Sequence, residues 1–169
     1  MALEMNFMAI ERTGAAKEHF EKAEGNFKNQ AYEKAIAEYG EVIKLLPNDA
    51  ESYYLRGCCY SGLEQKEKQL DDYSKAISIE PQNGNLCFVR SDVYLKLGET
   101  EKAIADVEKG VELAGTDEET IALRYWNLGY LIFELTGDKR TAAVYYKKSV
   151  EHGDVKGGGS QRKLDEWRM

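Results

Sequence analysis

From Ala16 to His152, apolar residues return every three or four positions and charged residues fill the gaps. That spacing belongs to amphipathic helices, each with one stripe that must be buried. Between Ala50 and Pro81 two such stripes follow each other. Tyr53, Gly57 and Tyr60 mark the first, and Tyr73, Ala76 and Ile77 the second. Pro81 closes this stretch and Pro47 closes the one before it, 34 residues upstream. Proline cannot continue a helical ladder of backbone hydrogen bonds, so both mark ends. One period downstream, Tyr53, Arg56, Gly57 and Tyr60 map onto Cys87, Arg90, Ser91 and Tyr94. One period upstream they map onto His19, Lys22, Ala23 and Asn26, while Tyr73 and Ala76 map onto Tyr39 and Val42. A repeat of this length signals stacked helix–turn–helix pairs, since one pair cannot bury its apolar stripe alone.

The pattern predicts four antiparallel helix pairs, with second helices over 32–46, 66–79, 100–113 and 139–151. The expected fold class is all-α: a right-handed α-solenoid of four helix–turn–helix repeats with a C-terminal capping helix. The expected organisation is an extension at 1–15, repeats at 16–49, 50–83, 84–117 and 118–153, and a Gly-rich break with the cap at 154–169. Turns fall at Leu63–Gln65, Gly98–Thr100 and Gly137–Asp138, and Asn48–Asp49 caps the third helix. Gln69 is large for its place between paired helices. In the first 15 residues, Leu3, Phe7 and Ile10 share one helical face. They read either as a short helix covering the end of the array or as a remnant of expression. Near the C-terminus three consecutive glycines break the pattern. Ser160 would then cap a short helix carrying Leu164 and Trp167; the alternative is a frayed tail.

The fourth repeat holds Tyr125, Leu128, Gly129, Ala142 and Tyr146 at telling offsets. With the 34-residue register, this resembles the tetratricopeptide repeat family over roughly Ala16 to Gly153. The resemblance implies a concave groove lined by the first helix of each pair. Carried over residue by residue, the groove positions are Phe20, Tyr54, Phe88 and Trp126. They continue with Glu24, Cys58, Asp92 and Tyr130, then Phe27, Leu95 and Phe133. Such a floor is apolar and aromatic with mild negative charge, and Asp92 is placed to pair with a Lys or Arg of a ligand. The competing reading is that these rings only brace adjacent repeats. The expected function is protein–protein interaction, by holding a peptide segment or partner helix. The alternative is a homo-oligomeric scaffold assembling through the array ends or the N-terminal segment. Relatives that clamp acidic chaperone tails use Lys, Asn and Arg in the groove. The matching places here hold Phe20, Glu24, Leu55, Asn85 and Val89, so an acidic chaperone tail is not the expected partner.

Composition narrows the field further. The chain has 169 residues and a formal charge of −7. An acidic protein lacks the basic surface that nucleic acid or anionic membrane requires, so neither is expected as a partner. No apolar run approaches the roughly 20 residues that span a bilayer. No signal peptide is visible, and a cytoplasmic location is expected. Three cysteines, two of them adjacent, make a poor disulfide framework; reduced, buried thiols are expected rather than a thiolate cluster. His19 and His152 have no partner at metal-ligand spacing. Metal, cofactor and catalytic residues are therefore expected to be none, and the chain is not expected to be an enzyme. Arg56 and Arg90 read as structural, with heads paired to carboxylates.

Overall fold

A computed structural model describes residues 7–113, 117–155 and 158–167. Among the described residues, regular structure is entirely α-helical. The helices are α1 (Gly14–Lys28), α2 (Tyr32–Leu45), α3 (Ala50–Gly62), α4 (Lys66–Ile79) and α5 (Gly84–Lys96). They continue with α6 (Thr100–Leu113), α7 (Glu118–Thr136), α8 (Lys139–Glu151) and α9 (Gly159–Trp167). Helices α2, α4, α6 and α8 start where the periodicity puts the second helices. The chain divides into two compact units, Met1–Val93 and Tyr94–Met169, with the boundary inside α5.

In unit 1, α1 packs on α2, α2 on α3, and α3 on α4. The turn inside each pair is built on one residue with positive φ, at Gln30 (57°) and Glu64 (57°). After it the chain reaches back to the preceding helix, Ala31 N–H donating to Asn26 O and Gln65 N–H to Tyr60 O, each at 2.9 Å. This satisfies carbonyls that the helix end leaves open. The turn between pairs is different. Asp49 N–H donates to Leu46 O and Asn83 N–H to Glu80 O, both at 3.1 Å. Pro47 and Pro81 thus sit second in four-residue turns, where a fixed φ is an advantage.

Pair packing depends on a missing side chain. A Cβ placed on Gly57 would lie 2.5 Å from Cε1 of Tyr73. Glycine lets α3 and α4 close over that ring, which is 4% exposed. Gln69 is also buried, and its amide is accommodated by donating to Tyr73 Oη at 3.2 Å. Ala23, Ala35, Tyr39 and Cys59 form a buried cluster flanked by Phe20, Phe27, Tyr32, Ile36 and Leu55. Arg56 behaves as expected: Nε and Nη2 donate to the two oxygens of buried Asp72 at 2.8 and 2.7 Å.

In unit 2, α6 meets α7, α7 pairs with α8, and α8 carries α9. The extra residues of the fourth repeat go into α7, which runs 19 residues against 13 for α3. Gly137 (φ 71°) ends it, and Asp138 caps α8 by accepting from the N–H groups of Arg140 and Thr141. Ser160 does not cap α9. It is the second residue of that helix and buried, and Asp154 does the capping. The Asp154 carboxylate accepts from the N–H groups of Val155 (2.7 Å), Ser160 (3.1 Å) and Gln161 (3.2 Å). Burial raises this carboxyl, but bonding to Ser160 and to the backbone donors outweighs it and leaves the pKa lowered. Leu164 is buried, and the Trp167 ring lies 4.8 Å from Phe133 and 5.6 Å from Tyr146.

Candidate functional site

Unit 1 carries Phe20, Glu24 and Phe27 on α1, Tyr54 and Cys58 on α3, and Phe88 and Asp92 on α5. Phe20 stands edge-on to buried Tyr39 at 5.8 Å, and Phe27 edge-on to Tyr32 at 6.0 Å. Tyr54 stacks on Tyr73 at 5.7 Å. Glu24 is half-buried and Asp92 exposed, whereas Phe88 is only 2% exposed. Cys58 Sγ lies 3.5 Å from Tyr73 Oη, and burial raises its thiol pKa. Burial likewise pushes Cys59 up to about 12. None of Cys58, Cys59 and Cys87 is in a disulfide.

Residues 7–13 are not helical; they run as a strap against this unit. The proposed Phe7/Ile10 helix face therefore does not form over the described residues, and Leu3 lies outside them. Phe7 sits on Tyr54 with ring centroids 5.4 Å apart. The Met8 N–H donates to Glu80 Oε1 at 2.8 Å. Arg12 lies over the Phe20 ring, 3.8 Å from its centroid. The same guanidinium forks onto Asp49, Nε to Oδ2 and Nη2 to Oδ1 at 2.7 Å each, and Nη2 also reaches Glu51 at 2.7 Å. Asp49 is 1% exposed and also accepts from Ser52 Oγ at 2.8 Å. A planar fork on a carboxylate is the strongest side-chain pairing available, and it is specific to arginine. Asp49 was legible in the sequence only as a helix cap, and Glu51 was not singled out. Their pairing depends on a residue 37 positions upstream of Asp49, and no local signal marks it.

Unit 2 carries Leu95 on α5 and Trp126, Tyr130 and Phe133 on α7. Leu95 is buried, and Phe133 packs against Trp167 of α9. Trp126 and Tyr130 stack almost parallel, 3° apart at 5.4 Å, and Tyr130 is 40% exposed. They border a cavity of about 330 Å³ with Tyr146, Arg162, Lys163 and Glu166. Trp126 Nε1 and Tyr146 Oη meet no hydrogen-bond partner among the described residues. The predicted positions thus separate into partly open ones, such as Phe20, Tyr54, Trp126 and Tyr130, and buried ones, Phe88 and Leu95.

Among the described residues, no group of three or more His, Cys, Asp and Glu is placed to hold a metal ion. None of the described helices is long and apolar enough to cross a membrane.

Paired helices closed over small residues, repeated at 34 positions, define an α-helical repeat protein. A family model described as TPR repeat matches residues 26–62, and one described as Tetratricopeptide repeat matches 50–83 and 84–117. Together they cover more than half of the chain, and the chain belongs to the tetratricopeptide repeat family. Such repeats serve protein–protein interaction. Hsp70-Hsp90 organizing protein 3 of Arabidopsis thaliana is 46% identical over 48 residues, 28% of this chain and 9% of that protein's length. Among solved structures, the crystal structure of MamA matches with a TM-score of 0.69 at 22% identity, covering 82% of this chain and 78% of that one. MamA 41-end from Desulfovibrio magneticus RS-1 matches with a TM-score of 0.68 at 20% identity, covering 82% and 75%. At these identities the likeness is one of fold.

Proposed function

We propose that this chain is a non-catalytic interaction module in which the first-helix face of each unit takes an extended peptide segment. The observation that carries this reading is the strap. Residues 7–12 already lie as non-helical chain across Phe20 and Tyr54, two residues that the family resemblance assigns to the binding face. In unit 2 the supporting feature is the Trp126–Tyr130 stack, of which Tyr130 is exposed. A half-buried tryptophan stacked on an exposed tyrosine offers apolar area at low entropic cost, the usual make-up of a binding hot spot. Phe88 and Leu95 support the fold around these faces, and Asp92 adds negative charge at the edge of unit 1.

The preferred partner is apolar or aromatic with a basic residue, and not an acidic chaperone tail. The organizing protein that is similar to this chain over 48 residues is named for Hsp70 and Hsp90. Here Glu24 puts a carboxylate on α1, and Asp49 and Glu51, now paired with Arg12, favour a cation at the unit 1 face and disfavour an anionic ligand. Residues 16–49, 50–83, 84–117 and 118–153 serve as the four working repeats of the module. We place it in the cytoplasm, with thiols reduced.

A random twelve-residue phage-displayed peptide library, panned on the full chain, tests the reading. The expected result is a set of peptides whose affinity falls at least tenfold with Tyr130→Ala at unchanged melting temperature. Tyr130 is exposed, so truncating it costs little stability. No enrichment, or peptides indifferent to Tyr130→Ala and Tyr54→Ala alike, would refute it. A dimer or larger assembly in sedimentation, lost with Phe7→Ala, would favour the scaffold alternative instead.

A further inference from the structure

We propose that residues 7–12 are a resident ligand of unit 1, standing in cis where a partner segment with an aromatic residue five positions before an arginine would bind. The inference rests on the reading that first-helix faces take peptides, and it assigns the chemistry that one face selects. Phe7 supplies the aromatic group to Tyr54, and Arg12 supplies a fork to Asp49 with a second bond to Glu51. Phe20 closes the arginine site from the ring side. A lysine would lose the paired geometry and the flat stacking together. Backbone is read as well, through the Met8 N–H on Glu80, whose other oxygen is fixed by Asn83 Nδ2 at 3.0 Å. Under the strap Asp49 and Glu80 are 1% and 6% exposed, and each is also held from within unit 1, Asp49 by Ser52 Oγ and Glu80 by Asn83 Nδ2.

The strap is attached in a way that permits exchange. Between its anchors Met8 is 69% exposed, so the segment lies on the surface and is not threaded through a core. It joins α1 at Gly14, which has φ of 52° and no atom near its missing Cβ. A glycine in that conformation is a natural pivot. Tethered to its site, the strap acts at an effective concentration of roughly millimolar. An external segment of the same chemistry must outcompete it, so occupancy of this face is set by competition.

The probe is a fluorescein-labelled synthetic peptide of residues 6–14, NFMAIERTG, read by anisotropy on the full chain. The Phe7→Ala/Arg12→Ala double variant removes the two strap anchors and leaves the receiving face intact. It is expected to bind the peptide at least tenfold more tightly than the unaltered chain. Glu51→Gln added to it should weaken binding at least tenfold, and so should replacing the peptide's arginine by alanine. Equal binding by the double variant and the unaltered chain overturns the proposal. So does a folded double variant that binds no peptide, or binding indifferent to Glu51→Gln. Trypsin cleavage after Arg12 gives a readout that leaves the strap sequence untouched. Glu51→Gln alone should speed it at least fivefold, and an unchanged rate makes the strap a fixed part of the fold. Tyr130-dependent peptide binding that survives either failure would leave the broader reading standing. A dimer of the unaltered chain that dissociates in the double variant would put the strap in trans and overturn the cis assignment.

Discussion

Replacing glycine by alanine inside a helix should have opposite signs at Gly25 and Gly57. Alanine gains about 1 kcal/mol of helix propensity over glycine at either place. Gly25 lies in α1 with nothing within 4 Å of a built Cβ, so the gain is kept. At Gly57 the new carbon would sit 2.5 Å from Cε1 and 2.7 Å from Cδ1 of Tyr73. That ring cannot step aside. It is 4% exposed, stacked on Tyr54, and tied through its hydroxyl to Gln69 and Cys58. Overpacking costs about 1–3 kcal/mol, and a pinned ring puts this site near 3. The net is about 2 kcal/mol of destabilisation at Gly57 against about 1 of stabilisation at Gly25. For a chain of this size, that gap of about 3 kcal/mol corresponds to about 6–12 °C between the two melting temperatures. Thermal and urea unfolding followed by circular dichroism measure it. Tyr73→Leu supplies the control: without the ring, Gly57→Ala should be neutral or stabilising. The close-approach argument fails if Gly57→Ala stabilises the unaltered chain, or if its cost is unchanged in the Tyr73→Leu background.

Two further outcomes follow from the turns and the thiols. Glu64 holds φ of 57° in an exposed turn, so Glu64→Gly should stabilise by about 0.5–1 kcal/mol, checked by urea midpoint at constant slope. Thiol titration of the folded chain at pH 8 should find Cys58 slow and Cys59 and Cys87 silent until unfolding, since all three are covered to some degree. Because the folded pKa of Cys59 lies above its ordinary 9.0, its contribution to stability is whole below that pH and drains as pH rises toward about 12. Cys59→Ala should therefore flatten the alkaline limb of the stability profile, and an unchanged limb would rule out Cys59 as its source.

The helices were legible in the chain because burial of one stripe forces a 3.6-residue period, and pairing of stripes forces the 34-residue one. Tyr32, Lys66 and Thr100, the first residues of three second helices, sit 34 positions apart as that register requires, whereas the fourth starts at Lys139, five positions beyond it, after the long α7. Gly57 was legible for the same reason, whereas Gly129 lies 72 positions on, four beyond two periods, and was legible from Tyr125, Leu128, Ala142 and Tyr146 around it. Phe20, Tyr54, Trp126 and Tyr130 came as groove positions only from the family resemblance, not from local patterning. Local patterning misjudged places where a residue answers to a distant partner. Ser160 looked like a helix cap, but Asp154 had already been brought to those N–H groups by the turn after α8. Phe7 and Ile10 looked like a helix face, but Tyr54, Glu80 and Asp49 hold the strap as non-helical chain. Period is a short-range property, written wherever a stripe is buried. The arginine site joins groups 37 and 39 positions apart, and only the folded chain sets them 2.7 Å from one guanidinium.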